Sequence, residues 1–121
     1  MSQGNLGTQE GTRELDLRRF AVHSERSGDD ERVHLLGEMD LSVVGSVDRE
    51  MRRVEAGDAA RIVLDLGELE FLDASGVRLL LRLNSRSEDN GGRFCITRAR
   101  APQVQRVIEL TGAADVLPFL D

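Results

Sequence analysis

Apolar residues recur along the chain with two different periods, and each switch of period marks a new element. In "ELDLRRFAV", Leu15 and Leu17 alternate with polar neighbours before the phase shifts to Phe20 and Val22, which predicts one strand over 14–22 with a single irregularity. The charged, turn-forming stretch "SERSGDDE" follows, and "RVHLLGEM" reads as a second strand, so the two form a hairpin. The period then lengthens. In "DLSVVGSVDREMRRVEAG", Val44, Val47, Met51 and Val54 fall on one helical face, with Asp48, Arg49, Arg52 and Arg53 turned away. Asp40 or Ser42 suits the start of this helix, and Gly57 its end.

"RIVLDL" is nearly continuous apolar sequence, as a buried central strand should be, and "GELEFLDA" reads as the loop after it. "SGVRLLLRLNSRSEDNGG" predicts a second helix with Arg78 and Arg82 on its outer face and Asn90-Gly91-Gly92 at its end. "RFCIT" is another buried strand. Pro102 opens a third helix whose face carries Val104, Val107 and Ile108, and "ADVLPFLD" supplies a last short strand and a terminal segment. This order predicts an α/β fold: a mixed sheet of four to five strands, an antiparallel N-terminal hairpin joined to parallel crossovers, with flanking helices. One domain spans 13–121. Residues 1–12, rich in Gly, Gln and Thr with a single Leu, read as a mobile tail.

Composition narrows the function. Of 121 residues, 40% are hydrophobic and 31% charged, which suits a globular chain with one core. The net charge of -6 and the scarcity of aromatics, 3%, argue against nucleic acid as a partner. No apolar run is long enough to span a membrane, and the first residues lack the basic and apolar segments of a signal peptide. Cys95 stands alone in an apolar strand, where a buried inert thiol is expected. These features together predict a cytoplasmic protein.

Catalytic constellations are missing. His23 and His34 stand on strands without companion ligands, as ordinary surface or edge-strand residues, so no metal is expected. Neither GxxxxGK[ST] nor GxGxxG occurs, and no cofactor is expected. Ser75 lacks the G-x-S-x-G context of a hydrolase nucleophile, and no histidine follows it. Asp65 sits near the end of a central strand, as a phospho-acceptor aspartate would, but the acidic pair and lysine of such sites are absent. The chain reads as a binding protein, not an enzyme.

The stretch "FLDASGV" has a different use. Ser75 or Asp73 can cap the second helix. The same placement exposes a hydroxyl at a helix N-terminus, where free N–H groups and the helix dipole favour an added phosphate. Gly76 lets a second protein approach closely. A phosphoserine carries about -1.5 to -2 charges at pH 7 and would be repelled by Asp73.

"LLGEMDLSVVGSVDREM", followed by "RIVLDLGELEFLDASGVRLLLRL", resembles the STAS domain family, the fold of sulphate-transporter domains and anti-sigma factor antagonists, over roughly residues 14–120. Within that family the chain looks like a stand-alone anti-sigma factor antagonist. The resemblance implies that the unphosphorylated protein binds an anti-sigma factor serine kinase and so releases a sigma factor. It further implies that the kinase phosphorylates Ser75, weakening the complex, and that a serine phosphatase resets it. Asp73 and Gly76 would shape the acceptor loop, and Asp40 matches the family's acidic position near it. Ala74 stands where many members carry a second hydroxyl, which leaves Ser75 as the only acceptor in that loop. The expected partner surface is Asp73, Ala74, Ser75, Gly76, Arg78 and Arg82. The family also contains subunits that bind a transporter ATPase, an alternative without a sigma-regulatory role.

Overall fold

A computed structural model describes residues 12–120. The elements, in chain order, are β1 (Thr12–Leu17), β2 (Phe20–Ser27), β3 (Asp30–Met39), α1 (Leu41–Glu55), β4 (Arg61–Leu72), α2 (Ala74–Asp89), β5 (Phe94–Ile96), α3 (Pro102–Leu110) and a 3-10 turn at Ala113–Asp115. The strands form one sheet in sequential order. β1–β2 and β2–β3 are antiparallel, whereas β3–β4 and β4–β5 are parallel. The mixed α/β architecture expected from the periodicity is therefore present. The tail assigned to residues 1–12 falls outside the described residues except for Thr12, which is the first residue of β1.

Two boundaries differ from the sequence reading. The irregularity in "ELDLRRFAV" is a reversal of direction: Arg18 and Arg19 turn the chain, Arg18 adopts φ 52, and Leu17 pairs with Phe20. One expected strand is thus two, because a two-residue turn looks like a phase shift when read linearly. The expected loop "GELEFL" is the second half of β4. Its Leu69 and Leu72 are buried while Glu68 and Glu70 are exposed, and it pairs with β3 through two register slips, at His34/Leu36 and Gly37/Glu38. Such bulges accommodate extra residues in one strand. Here they bring the ends of β3 and β4 level, so that Met39 stands beside Leu72.

The core lies on one face of the sheet. Phe20 and Val22 of β2, Val33 and Leu35 of β3, Ile62, Leu64 and Leu66 of β4, and Phe94 and Ile96 of β5 all pack there. α1 adds Val43, Val47, Met51 and Val54; α2 adds Val77, Leu79, Leu80 and Leu83; α3 adds Val104 and Ile108. Val44, expected on the inner face of α1, is only half-buried, and Val43 and Glu50 lie deeper. Glu50 is tolerated because Ser24 donates to its carboxylate at 3.1 Å and Arg13 and Arg53 pair with it. In place of the expected last strand, the C-terminal segment contributes an isolated bridge from Phe119 to Ile96.

The opposite face of the sheet is partly exposed and polar. Glu14, His23, His34 and Asp65 stand directly opposite one another across β1 to β4. His23 contacts Glu14 at 3.2 Å, and His34 contacts Glu25 at 2.9 Å. Asp65 accepts from Arg32, Thr97 and the Gly67 N–H. Among the described residues no group of three His, Cys, Asp or Glu could hold a metal ion.

Candidate functional site

β3 and β4 run parallel and end side by side, and a helix starts directly after each. The Asp73 N–H donates to the Met39 carbonyl at 3.3 Å, joining the two junctions. Asp40 caps α1, accepting from the Ser42 N–H at 2.9 Å. Asp73 caps α2, accepting from the Gly76 N–H at 3.1 Å. Each cap satisfies N–H groups that the first helical turn leaves without intrahelical partners.

The cap of α2 is therefore Asp73, and Ser75 lies two residues on, as the second residue of the helix. The Ser75 hydroxyl donates to Asp73 Oδ1 at 2.5 Å, and the residue is only 8% exposed. Of the two expected capping candidates the structure selects Asp73, and the expectation of an exposed Ser75 hydroxyl is corrected, because packing around the start of α2 buries the residue. Burial pushes the Asp73 carboxyl up. Hydrogen bonds from the Ser75 hydroxyl and from the N–H groups of Gly76, Ser75 and Leu41 outweigh this and hold it below the usual aspartate range.

Gly76 is buried on the inner side of the helix start. A methyl at this position would collide with Leu72 Cδ1 and meet Met39 Cγ at 3.5 Å. Glycine suits the close packing of α2 on the ends of β3 and β4, where a methyl would need Leu72 to shift. Ala74 is exposed, and Arg78 and Arg82 project from the outer face of α2 into solvent. Thus Asp40, Asp73, Ala74, Ser75 and Gly76 come together at the paired strand ends, while the two arginines continue along the helix.

Two residues absent from the sequence reading complete this end of the molecule. Leu41 is 73% exposed and Phe71 is 45% exposed, although both are large and apolar. They directly follow Asp40 and closely precede Asp73 in the chain. Their signal in the sequence was weak, because a leucine at a helix start and a phenylalanine in an apolar run both read as core. At the other end of the fold, the half-buried Cys95 thiol is pushed up by burial, as an unreactive cysteine should be. Among the described residues no helix is long and apolar enough to cross a membrane.

The fold has known counterparts. Residues 22–119 match the family model described as "Mlab, STAS domain", and the chain belongs to the STAS domain family. An anti-sigma F factor antagonist of Paenibacillus polymyxa is 28% identical over 90 residues, covering 74% of this chain and 76% of that protein. The crystal structure of an anti-sigma factor antagonist from Mycobacterium paratuberculosis superposes with a TM-score of 0.69 at 25% identity, covering 94% of this chain and 89% of that one. SpoIIAA in its unphosphorylated form shares the fold at a TM-score of 0.67 and 22% identity, over 83% of this chain and 88% of that one. The similar proteins named here are anti-sigma factor antagonists.

Proposed function

We propose that this chain is an anti-sigma factor antagonist switched at Ser75. Its unphosphorylated form binds an anti-sigma factor serine kinase, which frees a sigma factor; phosphorylation weakens the complex, and a serine phosphatase reverses it. The observation that carries this reading is the Asp73–Ser75–Gly76 cap, held at the joined ends of β3 and β4 beside two exposed apolar side chains. Support comes from the anti-sigma F factor antagonist relative and from SpoIIAA, a protein of the same fold with a phosphorylated form. Phe71 and Leu41 serve as apolar anchors for the partner, with Asp40 and Asp73 as charged neighbours and Arg78 and Arg82 along the same helix.

In this reading the kinase acts on a buried hydroxyl bonded to Asp73. The hydroxyl has to leave Asp73 and turn outward before its oxygen can attack the γ-phosphorus of ATP; ADP departs and the hydroxyl proton passes to a base of the kinase. Once phosphorylated, the oxygen no longer donates to Asp73. A dianion then competes with that carboxylate for the same N–H groups of α2. A charge pair about 4 Å apart is worth about 1 kcal/mol in water and about 4 kcal/mol at an effective dielectric of 20. One phosphate at the interface therefore weakens binding between about fivefold and about a thousandfold.

The test is incubation of the chain with the co-purifying kinase and ATP, followed by mapping of the phosphate by mass spectrometry. Ser75→Asp should weaken the complex within that range, while Ser75→Ala should bind but resist modification. Equal binding by Ser75→Asp and the unmodified chain would refute the electrostatic switch. Recovery of the chain with a transport ATPase and no kinase would instead identify it as a transporter subunit.

A further inference from the structure

The pattern D-x-S occurs at both helix starts, as Asp40-Leu41-Ser42 and Asp73-Ala74-Ser75. In each, the hydroxyl donates to the aspartate: Ser42 to Asp40 Oδ1 at 2.6 Å, and Ser75 to Asp73 Oδ1 at 2.5 Å. The surroundings differ. Ser42 is exposed, so water competes for both partners and the bond holds little in place. Ser75 is only 8% exposed, and its hydroxyl points at a carboxylate rather than at solvent. A hydrogen bond to a charged acceptor shifts an equilibrium by about tenfold to about a hundredfold. Burial pushes the Asp73 carboxyl up, but the Ser75 hydroxyl and the Gly76 and Ser75 N–H groups hold it below the usual aspartate range, which makes it a poor proton acceptor. Asp73 therefore restrains the hydroxyl and does not activate it.

We propose that Asp73 is a positioning residue that brakes phosphorylation: its carboxylate keeps the Ser75 hydroxyl turned inward, and the opening of that one hydrogen bond within the kinase complex sets the rate of transfer. The inference rests on the proposed function, which makes Ser75 the acceptor, and adds what controls its modification. Opening does not require the helix to unwind. When the hydroxyl swings out, Asp73 Oδ1 still accepts from the Gly76 N–H, so the cap survives. In the transfer, the bond between the γ-phosphorus and the bridging oxygen of ATP breaks and ADP leaves. The Ser75 oxygen–phosphorus bond forms, and the hydroxyl proton passes to a base of the kinase. Phe71, 45% exposed, stands two residues before Asp73, and Leu41, 73% exposed, follows Asp40. A kinase that docks on these side chains is placed to open the bond, whereas one that cannot dock there meets a closed, buried hydroxyl. The brake thus reserves Ser75 for its own partner.

The experiment follows phosphorylation in single turnover, with ATP and the co-purifying kinase in excess over the full chain, as wild type, Asp73→Asn, Asp73→Ala and Glu50→Ala. Phosphate is read on the tryptic peptide Ile62–Arg78, in which Ser75 is the only hydroxyl residue. Asp73→Asn keeps an acceptor for the cap but not the charge, and should raise the rate at saturating kinase about fivefold. Asp73→Ala removes the acceptor and should raise that rate about tenfold or more. The kinase concentration giving half-maximal rate should not fall in either, because Asp73 acts on the step after docking. Glu50→Ala loosens the contacts of α1 with β1 and β2, away from Ser75, and should react at the wild-type rate. An Asp73→Asn rate equal to or below wild type overturns the inference and leaves the proposed function standing. Equal acceleration by Glu50→Ala also overturns it, since loss of stability would then suffice. Phosphate on Ser75 in none of these chains overturns both.

Discussion

Replacing Asp73 with alanine removes more than one hydrogen bond. The Gly76 N–H loses its acceptor at 3.1 Å, and the Ser75 hydroxyl, buried with its residue only 8% exposed, loses its acceptor at 2.5 Å. Loss of an N-cap costs about 0.5–2 kcal/mol, and a buried polar group left without a partner costs about 1–3 kcal/mol. The two losses overlap at one carboxylate, so their sum is an upper bound, and about 2–3 kcal/mol is expected for Asp73→Ala. For a domain of this size that lowers the melting temperature by about 10 °C. Asp73→Asn keeps an acceptor oxygen and should lose less than half as much. Urea titrations at pH 7, with unchanged slope, measure both. An Asp73→Ala loss under about 0.5 kcal/mol would refute the structural weight placed on this cap. pH supplies an independent check. The Asp73 carboxyl is held below its ordinary value, so its contribution is full above the unfolded-state pKa and disappears as pH falls through the folded-state value. Wild type and Asp73→Asn should therefore converge in acid.

Two further outcomes follow from the packing. Gly76→Ala drives a methyl against Leu72 Cδ1 and should cost about 1–3 kcal/mol by overpacking; an unaltered urea midpoint would show that Leu72 yields freely. Glu50→Ala strands the Ser24 hydroxyl and frees Arg13 and Arg53, and should lower the urea midpoint by an amount corresponding to about 2–3 kcal/mol. Simultaneous Ser24→Ala should recover part of that loss, because the stranded hydroxyl is then gone.

Much of this protein follows from side-chain order alone. Alternation at Val33 and Leu35, the helical spacing of Val47, Met51 and Val54, and the apolar run through Leu64 each reflect a local period, and local periods survive in a linear reading. The paired stretches around Asp40 and Asp73 likewise mark both helix starts and carry the resemblance to the STAS family. Other features depend on contacts between distant segments. β4 continues through Gly67–Leu72 because β3 offers it a parallel edge with two register slips, and nothing within "GELEFL" reveals that edge. Arg18 and Arg19 reverse the chain because Leu17 finds Phe20, and Gly37 accommodates the turn because a methyl there would strike the Arg19 carbonyl. Tertiary structure alone decides that Ser75 is buried and Ser42 exposed. Both serines sit in the same D-x-S pattern; the difference comes from what packs around each helix start, which no local pattern encodes.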